Sequence, residues 1–272
     1  MLKERVITAI ILATLFLFAL FLFPTALWAL LVVAMVMQGA MEWSNLAQMK
    51  GIRRVAYLVA TLMLFMAVLL VNFVLHPHLK NPIQILIYSV ALIFWLLWVP
   101  AWFKFSWKIN NPWLLSLLGW IILIPTGMAM LDLRAASPAP WWLLGVMGLV
   151  WVADISAYFA GRQFGKNKLA PRISPGKTWE GVAGAMLGVL VYVVCVMYVS
   201  GMSHNYVLIV FAMAGVMFSV MGDLFESAIK RLAGVKDSGT LLPGHGGLLD
   251  RIDALTSTLP LAALALMLMR LI

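Results

Sequence analysis

The sequence is poor in charge and has almost no cysteine. Of its 272 residues only 11% are charged, whereas about 25% is typical of soluble domains. The low charge excludes an ordinary soluble domain. Cys195 is the single cysteine, which excludes an intrachain disulfide and a thiolate metal site. Because Cys195 lies inside an apolar run, we expect it to be a small buried hydrophobic side chain.

Long hydrophobic runs are abundant, and 64% of the residues are hydrophobic. A helix needs about 20 apolar residues to cross the bilayer core. The runs therefore predict an all-α, polytopic membrane protein with about nine transmembrane helices. The expected spans are residues 6–23, 25–41, 55–75, 83–103, 112–131, 141–160, 179–200, 205–225 and 254–271. Only Pro24 separates the first two runs, so a tight helical hairpin or a re-entrant element is an alternative there.

The formal net charge of +9 reflects 19 Lys and Arg residues. In a polar chain such an excess would suggest nucleic-acid binding; in a membrane protein it indicates topology, and we expect no nucleic-acid partner. Lys and Arg accumulate in cytoplasmic loops. If the chain has nine spans and a cytoplasmic N-terminus, all 19 Lys and Arg residues lie on the cytoplasmic side except Lys80, Arg134 and Arg270. The charges thus predict this orientation.

The acidic residues are concentrated in the second half of the chain. Ionisable groups near the hydrocarbon cost about 2.5–3.5 kcal/mol, so they usually mark functional sites. We therefore predict an apolar scaffold over residues 1–140, with Glu4, Glu42 and Asp132 in its loops. Residues 141–272 form the predicted catalytic region, with cytoplasmic loops 161–178 and 226–253. This region holds Asp154, Glu180, Asp223, Glu226, Asp237, Asp250 and Asp253.

The spacing of these residues indicates two polar helix ends. Residues three, four, seven and eight apart share one helix face, as do Asp223, Glu226, Ser227, Lys230 and Arg231. Likewise, Asp250 and Asp253 share a face at the start of the last span. Carboxylates suit Mg²⁺, and interleaved basic residues suit phosphate oxygens. We interpret the cluster as a metal and phosphate site at the cytoplasmic interface; mutual neutralisation by interfacial ion pairs is the alternative.

Two further features lie upstream. Gly176-Lys177-Thr178 resembles the end of a Walker A loop, but Pro171 stands where that motif needs glycine. In a looser interpretation Ser174, Lys177 and backbone N–H groups at a helix start contact an anion. The alternative is that the basic residues of this loop only follow the positive-inside rule. Asp154 is expected to face inward, as a functional or a buried hydrogen-bonding residue.

A family resemblance rests mainly on residues 227–253. These resemble the C-terminal signature of bacterial phosphatidate cytidylyltransferases. Weaker upstream matches are Asp154, the segment from Ser174 to Gly181, and Gly222-Asp223, whereas residues 1–140 contribute only hydropathy. The signature reads Ser227-Ala-Ile-Lys230-Arg231, then Lys236-Asp237-Ser-Gly239, then Pro243-Gly-His245-Gly-Gly-Leu-Leu-Asp250-Arg251-Ile-Asp253.

The resemblance implies transfer of CMP from CTP to phosphatidate in a bacterial inner membrane, with Mg²⁺ and often a monovalent cation such as K⁺. It gives CDP-diacylglycerol and pyrophosphate. Asp223, Asp250 and Asp253 would be metal ligands or their immediate supports. The same three residues and Lys230, Lys236 and His245 are the expected catalytic residues. A homodimer through the N-terminal spans is a further expectation. The expected substrate-binding residues are Ser174, Lys177, Arg231, Arg251, Asp154, Glu226 and Asp237.

Two other functions compete with this one. An ion-coupled transporter would also keep acids in its spans, but this sequence has no visible repeat, and its acids lie at predicted helix ends. A CDP-alcohol phosphotransferase would carry the pattern Asp-Gly-x₂-Ala-Arg-x₈-Gly-x₃-Asp-x₃-Asp. That spacing is absent, because two residues, not three, separate Asp250 from Asp253.

Overall fold

The computed structural model describes residues 2–72, 80–105, 109, 111–136, 140–202, 205–241 and 246–271. Within these ranges the side chains of residues 2–9, 80–81 and 270–271 are not described. The helices are α1 (Leu2–Leu22), α2 (Thr25–Leu46), α3 (Gly51–Leu70), α4 (Lys80–Ile93), α5 (Val99–Phe105), α6 (Pro112–Ala135), α7 (Trp141–Phe164), α8 (Trp179–Val199), α9 (Val207–Leu232) and α10 (Leu249–Leu271).

These helices confirm an all-α polytopic membrane protein. A π-helical turn, Phe94–Trp98, joins α4 and α5 into one continuous helix. Counted this way, the described residues form nine helices, and eight of them are long and apolar enough to cross a membrane. The ninth, α1, has 21 residues and meets α2 at Pro24. The first two runs are therefore two separate helices.

Several helices extend beyond the predicted apolar runs. Glu4 lies inside α1, Glu42 inside α2 and Asp132 inside α6, so their predicted placement in loops was wrong. Similarly, α9 continues to Leu232 and α10 begins at Leu249, which shortens the predicted loop 226–253. A span predicted from hydropathy ends at the first polar residues. The helix itself can continue where other parts of the protein supply hydrogen-bond partners for those residues.

The predicted loop 161–178 contains a small β-hairpin. Strand β1 (Lys168–Ala170) pairs with the antiparallel strand β2 (Ser174–Thr178). At the end of β2 the Thr178 hydroxyl accepts a hydrogen bond from the Gly181 N–H at 3.1 Å, which caps α8. Glu180 accepts bonds from the Asn167 backbone and side chain. The hairpin is thereby fixed to the start of α8.

Burial is uneven among the helices. In the apolar stretches of α6 and α10 that are long enough to cross a membrane, 67% of the residues are buried, compared with 17% in α3. Helix α8 packs on α7 through small residues, because Gly184 and Gly188 lie directly against Ala160 and Ser156; such residues let membrane helices approach closely. Cys195 lies on the exposed side of α8. Its predicted burial was wrong, since in a membrane span an apolar residue can face lipid.

The crossing of α9 and α10 brings the two acidic helix ends together. At Gly222 of α9, a Cβ atom would lie 2.6 Å from both the Asp253 carbonyl oxygen and the Ser257 Oγ of α10. The Ser257 hydroxyl donates a 2.7 Å hydrogen bond to the Phe218 carbonyl of α9. The helices therefore touch directly beside Asp223 and about one turn before Glu226.

We predict that Gly222→Ala destabilises the protein, because the added methyl group has no space between the two backbones. Overpacking of this kind costs about 1–3 kcal/mol. Thermal unfolding in detergent micelles measures the effect. Gly145→Ala in α7 is the matched control, since a Cβ there meets no atom within 4 Å. Equal unfolding temperatures for the two variants would contradict the proposed close approach.

Candidate active site

A buried group of ion pairs joins the C-terminal end of α9 to the N-terminal end of α10. The Lys230 ammonium nitrogen lies 3.2 Å from Glu226 Oε1 and 2.6 Å from Asp250 Oδ1. The three side chains are only 11%, 6% and 6% exposed, respectively. Two carboxylates from different helices thus share one cation, and removal of that cation would leave both buried charges uncompensated.

The second oxygen of Asp250 organises the loop between the helices. Oδ2 accepts hydrogen bonds from the Ser238 N–H at 2.8 Å, the Ser238 hydroxyl at 3.0 Å and the Gly247 N–H at 2.8 Å. Gly246 has a φ of +82°, and a Cβ there would lie 2.5 Å from the same oxygen, which explains the need for glycine. Asp250 therefore holds both described ends of this loop. His245 lies outside the described residues.

Glu42 of α2 completes this buried group, and the sequence analysis missed it. Its Oε1 accepts from Gln38 Nε2 and the Leu248 N–H, and its Oε2 accepts from the Ser238 hydroxyl and the Leu249 N–H, all at 2.8 Å. Glu42 is only 2% exposed. The N-terminal half of the chain therefore contributes directly to the structure of this site.

A second, more open group lies beside the first. Lys177 of β2 has its ammonium nitrogen 2.6 Å from Asp223 Oδ2, and the two side chains are 24% and 30% exposed. The Ser227 hydroxyl donates to Asp223 Oδ1 at 3.3 Å. Asp154 of α7 is exposed and interacts electrostatically with both Asp223 and Lys177. The charged side chains of this group are therefore only partly enclosed by the protein.

Asp253 links the two groups. Its carboxylate accepts from the Ala254 N–H at 2.8 Å and interacts electrostatically with Asp223, Lys177 and Lys230. The combined cluster contains five acids, Asp154, Asp223, Glu226, Asp250 and Asp253, with two lysines. The excess of carboxylates over lysines favours the binding of a cation.

The remaining predicted residues that the structure describes are close in sequence to members of the cluster. Ser174 begins β2. Arg231 follows Lys230 at the exposed end of α9 and donates to the Val235 carbonyl at 3.2 Å. Lys236, Asp237 and Arg251 are all exposed. The structure accordingly separates accessible basic side chains from the buried Lys230, while the roles expected for each residue stay predictions.

The donors suit a divalent cation that also binds substrate. Within the ranges that the structure describes, no three acidic, His or Cys side chains are grouped closely enough to hold a metal ion by themselves. Mg²⁺ commonly uses one or two carboxylates together with substrate phosphates and water. Asp223 and Asp253 fit that mode. The Asp250 side chain is only 6% exposed and is bonded to the buried Lys230 and to the loop backbone, so its geometry suits a support for the ligands.

Comparison with known proteins assigns the chain to a family. The model of the cytidylyltransferase family matches residues 3–269, nearly the whole chain. The chain belongs to this family. It is therefore an enzyme, a nucleotidyltransferase, as the resemblance of residues 227–253 predicted.

Similar curated proteins come from several bacteria. The phosphatidate cytidylyltransferase of Pseudomonas aeruginosa is 40% identical over 271 residues, which cover 97% of this chain and 96% of that protein. The Haemophilus influenzae protein of the same name is 40% identical over 284 residues, 96% of each chain. That of Thermotoga maritima is 45% identical over 123 residues, 43% of this chain and 46% of that one.

The buried ion pairs of this cytidylyltransferase generate a stability prediction. We expect Lys230→Met to lower the free energy of unfolding by about 3–5 kcal/mol, because it leaves Glu226 and Asp250 buried without their shared cation. Adding Glu226→Gln should recover part of the loss, since one of the two unpaired charges is then removed. Chemical denaturation in detergent micelles measures both effects.

Lys236→Met is the control for this prediction, because it removes a lysine that is exposed in the connecting loop. Its effect on the free energy of unfolding should stay within about 0.5 kcal/mol. Similar losses for the two lysine variants would show that burial of the Lys230 ion pairs does not determine stability here.

Proposed function

We propose that this enzyme transfers CMP from CTP to phosphatidate and forms CDP-diacylglycerol and pyrophosphate. The near full-length similarity to proteins named phosphatidate cytidylyltransferase carries the proposal. The geometry supports it, because an accessible lysine and several carboxylates meet at one end of a bundle of membrane-spanning helices. A site at that position could receive a water-soluble nucleotide and a lipid headgroup together.

The chemistry sets specific demands on such a site. The attacking group is the phosphate of phosphatidate, which is already ionised at neutral pH, so no strong general base is needed. One of its oxygens forms a bond to the α-phosphorus of CTP as the bond from that phosphorus to the pyrophosphate oxygen breaks. The main obstacle is the approach of an anion to a polyanion. Positioned cations and fixed dipoles lower that barrier.

The basic residues can divide this work according to their exposure. Lys177 is accessible, and its ammonium group could exchange Asp223 for a phosphate oxygen of either substrate. Arg231, Lys236 and Arg251 are exposed and are suited to the nucleotide phosphates and to the departing pyrophosphate. Lys230 is buried between two carboxylates, which suits it to holding the helix ends in place.

Asp223 and Asp253 are the residues that would hold Mg²⁺, with Asp154 close enough to influence the charge there. When bound, Mg²⁺ would neutralise negative charge on the phosphate oxygens as the bond to pyrophosphate breaks. Asp250 would support this arrangement through Lys230, Ser238 and Gly247. The use of K⁺ and assembly into a homodimer stay predictions.

The distribution of Lys and Arg supports a cytoplasmic N-terminus and a site that faces the cytoplasm, where CTP is available. The bacterial origin of the relatives supports location in the inner membrane. An ion-coupled transporter is the alternative. Charge-coupled solute flux in liposomes, without turnover of CTP, would favour that function.

We predict that the purified protein, given labelled CTP and phosphatidate, produces labelled lipid and pyrophosphate only when Mg²⁺ is present. Lipid extraction and a pyrophosphate assay measure the two products. Asp223→Asn should lower the rate by about 100-fold, because it weakens both the lysine pair and the cation site. Asp132→Asn, in the same chemical class but remote from the site, is the matched control.

The absence of lipid-linked CMP with correctly folded wild-type protein would overturn the proposed reaction. Unchanged Mg²⁺-dependent formation of CDP-diacylglycerol by folded Asp223→Asn or Asp250→Asn variants would overturn the roles proposed for these two carboxylates.

A further inference from the structure

Glu42 stands out as a buried carboxylate from the N-terminal half of the chain that contacts the connecting loop and the start of α10. We propose that Glu42 is a positioning residue, which sets the position of Asp250 through Ser238 and through the first backbone N–H groups of α10. This inference rests on the proposed transfer reaction and extends its site to α2.

The contacts of Glu42 reach three separate parts of the structure. Gln38 anchors the carboxylate to its own helix, and the other three bonds cross to residues 196 to 207 positions away. Two of these come from the backbone N–H groups of Leu248 and Leu249, where α10 begins. The first N–H groups of a helix lack partners within it, and a negative charge at that end is favourable. Glu42 therefore holds α10 at its N-terminus.

The loop is shaped to accommodate this carboxylate. A Cβ at Gly239 would lie 3.1 Å from Glu42 Cδ, and a Cβ at Gly247 would collide with Glu42 Oε2 and the Ser238 hydroxyl. Two glycines thus allow the backbone to approach the acid closely on both sides of residues 242–245. The loop backbone therefore packs directly against the Glu42 carboxylate.

A short chain of contacts connects Glu42 to the charged cluster. The Ser238 hydroxyl oxygen lies 2.8 Å from Glu42 Oε2 and 3.0 Å from Asp250 Oδ2. Because a hydroxyl has one proton to donate, these two carboxylates share it, while the Ser238 N–H stays bonded to Asp250. Asp250 in turn holds Lys230. A displacement of Glu42 would therefore move Ser238, Asp250 and Lys230 together.

A carboxylate is the group that these contacts require. Its two oxygens only accept hydrogen bonds, whereas the amide of glutamine presents an NH₂ group in place of one oxygen. In a Glu42→Gln variant this NH₂ would face one of the backbone N–H groups of α10. The side chain keeps its size, so the variant changes hydrogen bonding and charge while leaving the apolar packing of α2 intact.

We expect Glu42→Gln to lower kcat by about 10- to 100-fold, since small displacements at a reacting centre are costly, with KM for CTP within about threefold of wild type. Backbone hydrogen exchange should accelerate at residues 247–252 and stay unchanged in α7 and α8. Asp132→Asn is the matched control, because Asp132 is a helical acid of the same half that accepts bonds from Gln84 and Tyr88. It should change neither kcat nor exchange at residues 247–252.

Ser238→Ala provides a second variant in case Glu42→Gln fails to fold. It keeps the carboxylate and removes only the hydroxyl between Glu42 and Asp250, so kcat should again fall with little change in KM. Wild-type kcat in folded Glu42→Gln would overturn the proposal. If Glu42→Gln does not fold, wild-type kcat in Ser238→Ala would overturn it.

The exchange measurement separates this inference from the proposed function. If the wild-type protein makes no CDP-diacylglycerol, the proposed function fails, yet faster exchange at residues 247–252 in Glu42→Gln would still show that Glu42 holds the loop. If the wild-type protein is active but hydrogen exchange at residues 247–252 is the same in Glu42→Gln as in wild type, only the positioning role of Glu42 is overturned.

Discussion

The structure of the site depends on one buried ammonium group, that of Lys230. A charge enclosed by apolar helices is costly unless it is paired and hydrogen-bonded, and Glu226 and Asp250 supply both requirements from two different helices. Because Asp250 is fixed by this pair, its second oxygen can hold Ser238 and Gly247. Glu42 then closes the arrangement from α2. Helix ends and a connecting loop of a membrane protein can form a buried polar site in this way.

The cluster combines a rigid part with an accessible part. The ion pairs around Lys230 are nearly inaccessible, whereas Lys177 and Asp223 are partly exposed. A catalyst of phosphoryl or nucleotidyl transfer needs both, because preorganised groups lower the barrier only if they do not rearrange during the reaction. The close crossing at Gly222 brings the two parts together, since it aligns Asp223 and Glu226 of α9 with Asp253 and Asp250 of α10.

The sequence was sufficient for the fold class and the family, and for the two acidic helix ends. Helical spacing placed Glu226 and Lys230 on one face, and the structure shows them paired. The sequence could not identify Glu42, because a single acid beside an apolar run does not reveal hydrogen-bond partners that lie roughly 200 residues away in the chain. Likewise, β1 and β2 are too short for a periodic signal, and only the tertiary structure brings Lys177 to Asp223. Cys195 shows that apolar sequence does not distinguish core from lipid contact.

A structure determined in lipid nanodiscs with a non-hydrolysable CTP analogue and Mn²⁺ would test the central claim most directly. The account predicts that the triphosphate lies within hydrogen-bonding distance of Lys177, with the metal bound by Asp223 and Asp253, while Lys230 keeps its bonds to Glu226 and Asp250. A triphosphate bound elsewhere, for example beside Arg53 and Arg54 of α3, with the pair of Lys177 and Asp223 intact, would contradict it.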